Sequence, residues 1–343
     1  MNLESQHDND QVDVGSNLNA VLTPIKTWFD RQGWDPLPFQ TRTWEAHLQG
    51  LSGLIQVPTG SGKTYAAVMG PIAQMLASPN AQAGIRLLYI TPLRALSRDL
   101  AVALQLPIDA MGWSLRVGIR NGDTATAERS RQIKKPPEIL ITTPESLCVL
   151  LAGRHCEALF QTLETVILDE WHELIGSKRG IQTELALSWL RQQRPQLQTW
   201  AISATIGNLV ESARHALGEA GEPCLITGAP KRGLDIKSIL PDSIDGFPWG
   251  GHLGLRQYED LIGQLEPSTS TLLFTNTRNQ AERWFQCLRY ACPEMEGLLA
   301  LHHSALDRSE REAIEAAVKA GSMLWVVCTS SLDLGVDFQP VEK

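Results

Sequence analysis

The chain has 343 residues, 43% of them hydrophobic and 20% charged, enough to bury one or two cores, and its length favours two domains. A net charge of −8 lacks the basic balance of a protein that grips duplex DNA mainly by neutralising phosphates. It still permits a local groove of backbone N–H groups and hydroxyls, which leaves no mark on net charge. Six cysteines without paired metal-ligand spacing, a polar start, and no apolar run of roughly 18 residues argue against a disulfide framework, secretion and a membrane span. Reduced thiols and a cytoplasmic location fit best.

In chain order, residues 1–17 are rich in Asp, Asn and Gln with no periodic apolar positions, and read as a disordered leader. From residue 18 to 227, short apolar runs at 54–57, 87–90, 139–142, 165–168 and 199–202 alternate with amphipathic stretches at 65–76, 184–190 and 209–217. Such alternation predicts an α/β domain, a mainly parallel sheet with helices on both faces. Residues 228–265 are rich in Gly, Pro and Asp and read as an interdomain linker. The alternation restarts over 266–343, with strands expected at 271–274, 297–301 and 323–328 and helices at 278–290 and 307–319. That second unit holds too few elements for a comparable sheet, so it is expected to be incomplete.

Two stretches carry chemistry. After the first strand comes Pro58-Thr59-Gly60-Ser61-Gly62-Lys63-Thr64 and then a helical run. Glycines let successive N–H groups curl toward phosphate oxygens, and the helix end adds partial positive charge. Lys63 can then reach the outer phosphates of a nucleoside triphosphate and Thr64 can ligate Mg²⁺. An ordinary glycine-rich turn is the plainer reading. Asp169-Glu170-Trp171-His172 follows the strand at 165–168, which places both acids at the carboxyl edge of a parallel sheet. Asp169 can hold Mg²⁺ and Glu170 can polarise an attacking water, whereas an acid-decorated helix start, with Glu173 included, is the simpler alternative. His172, which otherwise reads as a solvated histidine, would couple this site to Ser203-Ala204-Thr205 at the end of the strand at 199–202. His302-His303 is not read as a metal site: neighbours on a strand point oppositely, and no nearby cysteine or carboxylate is evident in sequence. The ten tryptophans are scattered and read mostly as packing.

The ordered series TGSGKT, TPLRAL, TTPESL, DEWH, SAT, TLLFTNTRNQAE, LHHSALDRSER and CTSSLDLGVDF resembles the motifs of superfamily 2 helicases over about residues 20 to 340. With ILDEWHELIGSKRG and FPWGGHLG, it is similar to the large helicase-related (Lhr) type, and within that to bacterial ligase-associated DExH-box DNA helicases. The resemblance implies tandem RecA-like P-loop NTPase domains, the second incomplete here, with ATP and Mg²⁺ in the cleft between them. It implies single-stranded or partly duplex DNA as partner, 3′-to-5′ translocation, a link to DNA repair with ligase or nuclease partners, and a monomer. By the same resemblance Gln40 reads adenine, and Gly335 and Asp337 meet the nucleotide from the second domain. Thr91, Arg94 and Thr143, with Thr275 and Thr329, line the nucleic-acid path. The plainer readings are an exposed polar residue at a helix start for Gln40, a solvated helix residue for Arg94, and a strand-end turn for Gly335 and Asp337.

In that family the pattern continues into an arginine-rich motif, and this sequence ends at Lys343 before it. Loss of an arginine finger removes about a thousandfold of phosphoryl-transfer rate, so low turnover is expected of the fragment. An RNA helicase and a catalytically impaired module that binds ATP or nucleic acid are the alternatives.

Overall fold

A computed structural model describes residues 4–58, 60–78, 84–92, 94–218, 221–228, 236–240, 254–329 and Leu332, with side chains from Leu18 onward. It divides into two compact units, Met1–Pro230 and Lys231–Lys343.

The first unit is built on seven short strands: β1 (Gly53–Gln56), β2 (Leu87–Ile90), β3 (Val117–Arg120), β4 (Ile139–Thr142), β5 (Thr165–Leu168), β6 (Gln198–Ser203) and β7 (Cys224–Thr227). They pair in parallel in the order β3-β4-β2-β5-β6-β1-β7. Parallel neighbours need crossovers, and helices supply them. The helices of the unit are α1 (Glu4–Arg31) and α2 (Pro38–Leu48), which precede β1, and then α3 (Lys63–Ala77), α4 (Arg94–Met111), α5 (Thr126–Lys134), α6 (Pro144–Leu151), α7 (Cys156–Phe160), α8 (Trp171–Leu174), α9 (Lys178–Gln193) and α10 (Leu209–Leu217).

Successive strand residues face opposite sides of the sheet, so each strand feeds two cores. Ile55, Tyr89, Ile141, Ile167 and Ile202 pack with Trp28, Trp44 and Met69 from the α1 to α3 side. Leu54, Leu88, Leu140, Val166 and Ala201 pack with Leu147, Trp171, Leu187 and Ala213 from α6, α8, α9 and α10. Trp28, Trp44, Trp171 and Trp200 are all fully buried, which makes them packing residues. Around Trp28, edge-to-face contacts with Phe29, Trp34 and Tyr65 at 5.1 to 5.6 Å pin α1 onto α3.

The backbone of α1 runs back to Glu4, through residues that composition assigned to a disordered leader. Composition judged whether those residues could bury apolar surface; extending a helix already anchored by Leu22, Ile25 and Trp28 costs far less than nucleating one.

His47 of α2 is buried, its Nε2 bonded to Gln74 Oε1 at 2.9 Å and its Nδ1 without a hydrogen-bond partner. Burial pushes its pKa down to about 4, against the small opposing effect of Gln74. The native state therefore holds this imidazole neutral, and its stabilisation is complete above the unfolded value near 6.5 and lost as pH falls toward 4. Denaturant melts from pH 7 to pH 4 should lose up to about 3 kcal/mol through this residue, and His47→Gln should flatten that limb.

The second unit pairs β8 (Thr271–Phe274), β10 (Trp325–Cys328) and β9 (Leu299–His302) in parallel, with β10 central. Helices α11 (Tyr258–Ile262), α12 (Arg278–Ala291) and α13 (Arg308–Lys319) accompany them. The stretch read as a linker thus contains a helix, because Leu255, Leu261, Ile262 and Leu265 have a core to pack on, formed with Trp284, Leu288 and Trp325. The strand expected at 297–301 begins instead at Leu299, since Gly297 sits in the left-handed region that ends a turn. His302 and His303 each meet a carboxylate that sequence spacing concealed. His302 Nε2 lies 3.1 Å from Glu315 on α13, and His303 Nε2 lies 3.5 Å from Glu282 on α12. Each has one acid, and no group of three metal-ligating side chains occurs among the described residues.

Candidate ATP-binding and hydrolysis site

Parallel strands deliver their carboxyl ends to one edge, and the loops after β1, β5 and β6 meet there. After β1 the chain turns through Gly60 and Gly62, both in the left-handed region at φ 75° and 85°, and Lys63 opens α3. A side chain at Gly62 would be strained at this φ, and its Cβ would lie 2.7 Å from Gln40 Nε2, so the Gln40 amide would have to move aside. Gln40 explains that closeness. Its Oε1 accepts from Leu37 N at 2.8 Å and its Nε2 donates to Gly62 O at 3.1 Å, so its buried amide ties the start of α2 to the loop. An exposed polar residue at a helix start is therefore excluded for Gln40. Ser61 Oγ donates back to Pro58 O at 2.5 Å. Thr59 lies outside the described residues, as do Gly335 and Asp337.

After β5 the chain presents Asp169 and Glu170. Lys63 Nζ donates to Glu170 Oε1 at 3.1 Å, and both residues are buried. Glu170 is the one non-glycine among the described residues with positive φ, 44°. A β-carbon in that region costs of order 1–3 kcal/mol, and the ion pair and the buried Trp171 beside it hold the conformation. Trp171 donates its indole N–H to Ser212 O of α10 at 3.0 Å. That contact fixes the direction of α8, and α8 in turn sets His172. His172 Nδ1 lies 3.0 Å from Ser203 Oγ and 3.6 Å from Glu170 Oε2, while Ser203 Oγ also donates to Thr205 O at 3.2 Å. Lys63, Glu170, His172 and Ser203 thus form one continuous polar run.

Asp169 is partly buried as a residue, and its Oδ1 accepts from Glu170 N at 3.0 Å. Burial, then the charge of Glu170, push its carboxyl up to about 7, outweighing Lys63 and the Tyr89 hydroxyl, which favour the charged form. The buried Tyr89 hydroxyl is itself pushed upward, first by burial and then by Asp169. Between the unfolded value near 3.8 and about 7 the native state holds a proton that the unfolded chain releases, so this group's contribution to stability falls as pH rises through that window. Without nucleotide, Asp169→Asn should raise the melting temperature at pH 8, with the gain shrinking toward pH 4; an equal shift at both pH values would contradict the assignment.

The loops expected to line a nucleic-acid path differ in what they present. Arg94 is well exposed and paired with Asp123 at 3.0 Å. Thr91 and Thr143 are buried, and Thr143 Oγ1 donates to Ser146 Oγ at 3.2 Å. In the second unit Thr275 Oγ1 donates to Cys328 O at 3.1 Å, and Thr329 N donates to His302 O at 3.2 Å. Sequence reading passed over Tyr89, Asp123, Glu145 and Arg179. Tyr89 sat inside an apolar run, and only its place two residues before Thr91, at a strand end, could have marked it.

A strand, a left-handed glycine turn, a helix-opening lysine and paired acids at the end of β5, separated from β1 only by β6, are the arrangement of a P-loop NTPase of the helicase kind. The sequence matches the DEAD/DEAH box helicase family over residues 37–212 and the helicase conserved C-terminal domain over 255–342. The chain belongs to the DEAD/DEAH box helicases, and it is a superfamily 2 member of the Lhr type.

It is 33% identical to the ATP-dependent helicase Lhr-Core protein 2 of Thermococcus barophilus, over 94% of this chain and 39% of that protein. It is 30% identical to the Lhr helicase/uracil glycosylase of Escherichia coli, over 97% of this chain and 26% of that protein. The solved structure of Mycobacterium smegmatis Lhr bound to ssDNA and AMP-PNP superposes with a TM-score of 0.75 at 30% identity, covering 93% of this chain and 43% of that one. The chain thus spans about two-fifths of the length of the Lhr-Core relatives it matches. Both units have the RecA-like parallel-sheet fold of those helicases. No helix among the described residues is long and apolar enough to cross a membrane.

Proposed function

We propose that the chain is an ATP-hydrolysing motor that works on single-stranded DNA. The observation that carries this reading is the run from Lys63 through Glu170 and His172 to Ser203, placed beside the glycine turn at the carboxyl edge of a parallel sheet. An ammonium already in the loop, backbone N–H groups at the start of α3 and a hydroxyl at Thr64 suit a triphosphate. The glycine positions fit it too, since the left-handed φ at Gly60 and Gly62 suits a loop that curls its N–H groups inward.

Lys63 and Glu170 pair at 3.1 Å. Arrival of a γ-phosphate offers the lysine a second anion, and Glu170, relieved of its partner, can accept a hydrogen bond from the attacking water and aim it in line. His172 shares its Nδ1 between Glu170 and Ser203, and so links the acid to the loop after β6. Thr64 and Asp169 form a hard oxygen donor set that suits Mg²⁺, which would offset charge on the phosphate oxygens. Gln40, held at the loop by Gly62, is positioned to report adenine.

DNA as the strand is supported by the Mycobacterium smegmatis relative bound to ssDNA. We further infer, from the family resemblance, 3′-to-5′ movement, a place in DNA repair beside ligase or nuclease partners, and action as a monomer. Thr91, Arg94, Thr143, Thr275 and Thr329 would meet the strand, and Thr59, Gly335 and Asp337 would meet the nucleotide. The test is steady-state ATPase with and without DNA and RNA oligomers. Stimulation by DNA above RNA supports the reading, preference for RNA makes this an RNA helicase, and nucleotide binding without turnover makes it a binding module.

A further inference from the structure

Arg179 stands where a helix does not want it. It occupies the first turn of α9, where the positive end of the helix dipole disfavours a cation. Its guanidinium leaves the helix and reaches two other segments. Nε donates to Glu145 Oε1 at 2.5 Å and Nη2 to Glu145 Oε2 at 3.3 Å, at the start of α6. Nη2 also donates to the carbonyl of Pro92, in the loop after β2. Glu145 sits two residues after Thr143, and Pro92 lies between Thr91 and Arg94. A planar fork that bonds a carboxylate with two nitrogens and a backbone carbonyl as well fixes both distance and angle, which lysine cannot do.

The base of the fork is itself held. Ser177 Oγ caps α9 by accepting from Gly180 N at 3.1 Å, and a Cβ on Gly180 would lie 1.9 Å from Leu174 O at the end of α8. Since α8 starts at Trp171, the segment that bears the hydrolytic acids continues directly into the arginine.

We propose that Arg179 is a positioning residue that clamps the loop after β2 to the first turn of α6, setting the spacing at which those two segments hold a nucleic-acid strand, and ties that spacing to the segment carrying Asp169 and Glu170. The inference rests on the reading that these loops meet the strand. Exposed ion pairs contribute little to global stability, so the effect belongs in strand affinity and loop order.

The experiment compares the 343-residue chain with Arg179→Ala, Glu145→Gln and the double variant. It measures anisotropy of a labelled oligothymidylate, basal ATPase, melting temperature, and amide exchange over 91–94 and 143–147. Arg179→Ala should weaken strand binding about tenfold and speed exchange in both segments, with basal KM for ATP and melting temperature unchanged. The double variant should be no weaker than Arg179→Ala alone. Unchanged exchange in both segments, unchanged affinity beside a parent that binds, or additive losses would each overturn the clamp, as would a parallel fall in melting temperature and basal turnover. A parent chain that binds no strand refutes the nucleic-acid reading and with it the strand-spacing role, while faster exchange in Arg179→Ala would leave a purely structural clamp.

Discussion

ATP turnover should fall by about a thousandfold or more in both Lys63→Ala and Glu170→Gln, but the two losses should differ in kind. On the proposed reading Lys63 offers its charge to the bound phosphates as well as to the transition state, so its removal should raise KM and lower kcat together. Glu170 in that reading acts on the water, so the amide should keep nucleotide affinity and lose kcat alone. Removing the acid also frees Lys63 from its 3.1 Å partner, so nucleotide should bind Glu170→Gln at least as tightly as the parent. Steady-state kinetics with a nucleotide titration separate these outcomes, and undiminished turnover in both variants would remove the site assignment.

Trp171→Ala should be the most destabilising single change among those considered, by about 3–5 kcal/mol. The side chain is fully buried in the core shared by α8, α9 and α10, and its loss also removes the indole N–H bond to Ser212 O that fixes α8 against α10. Trp171→Phe keeps most of the volume and should cost less. Chemical denaturation followed by far-ultraviolet circular dichroism reads both. Because Trp171 lies between Glu170 and His172, the Ala variant should also lose ATPase at temperatures where it remains folded, whereas an equally destabilising change remote from the acids should not.

The interior of the first sheet was legible because burial on both faces writes an uninterrupted apolar run. β2, β4 and β5 have all four residues buried and were placed correctly from such runs. The strands that escaped notice, β3 and β7, are the two edges. β3 is only partly buried along its length and β7 buries just Ile226, so VGIR and CLIT carry half the signal. The placement of the candidate site was legible in the same way: the glycine turn, Lys63 and the acids are contiguous with strand ends whose direction the pattern dictates. What stayed hidden depends on contacts across long separations. Gln40 reaches Gly62 across 22 residues and Arg179 reaches Pro92 across 87, and no local spacing announces either bond. His302 and Glu315, thirteen apart, were concealed by an intervening turn and helix.

The polar run through positions 63, 170, 172 and 203 contains no separation above 3.6 Å. On the proposed motor reading, loss of a phosphate at one terminus would reach the other by re-pairing neighbours over a few ångströms within the first unit. A run wired so tightly would gain speed of signalling and give up tolerance: on that reading a spacer as small as one methylene along those four positions should uncouple fuel from work while leaving the fold intact.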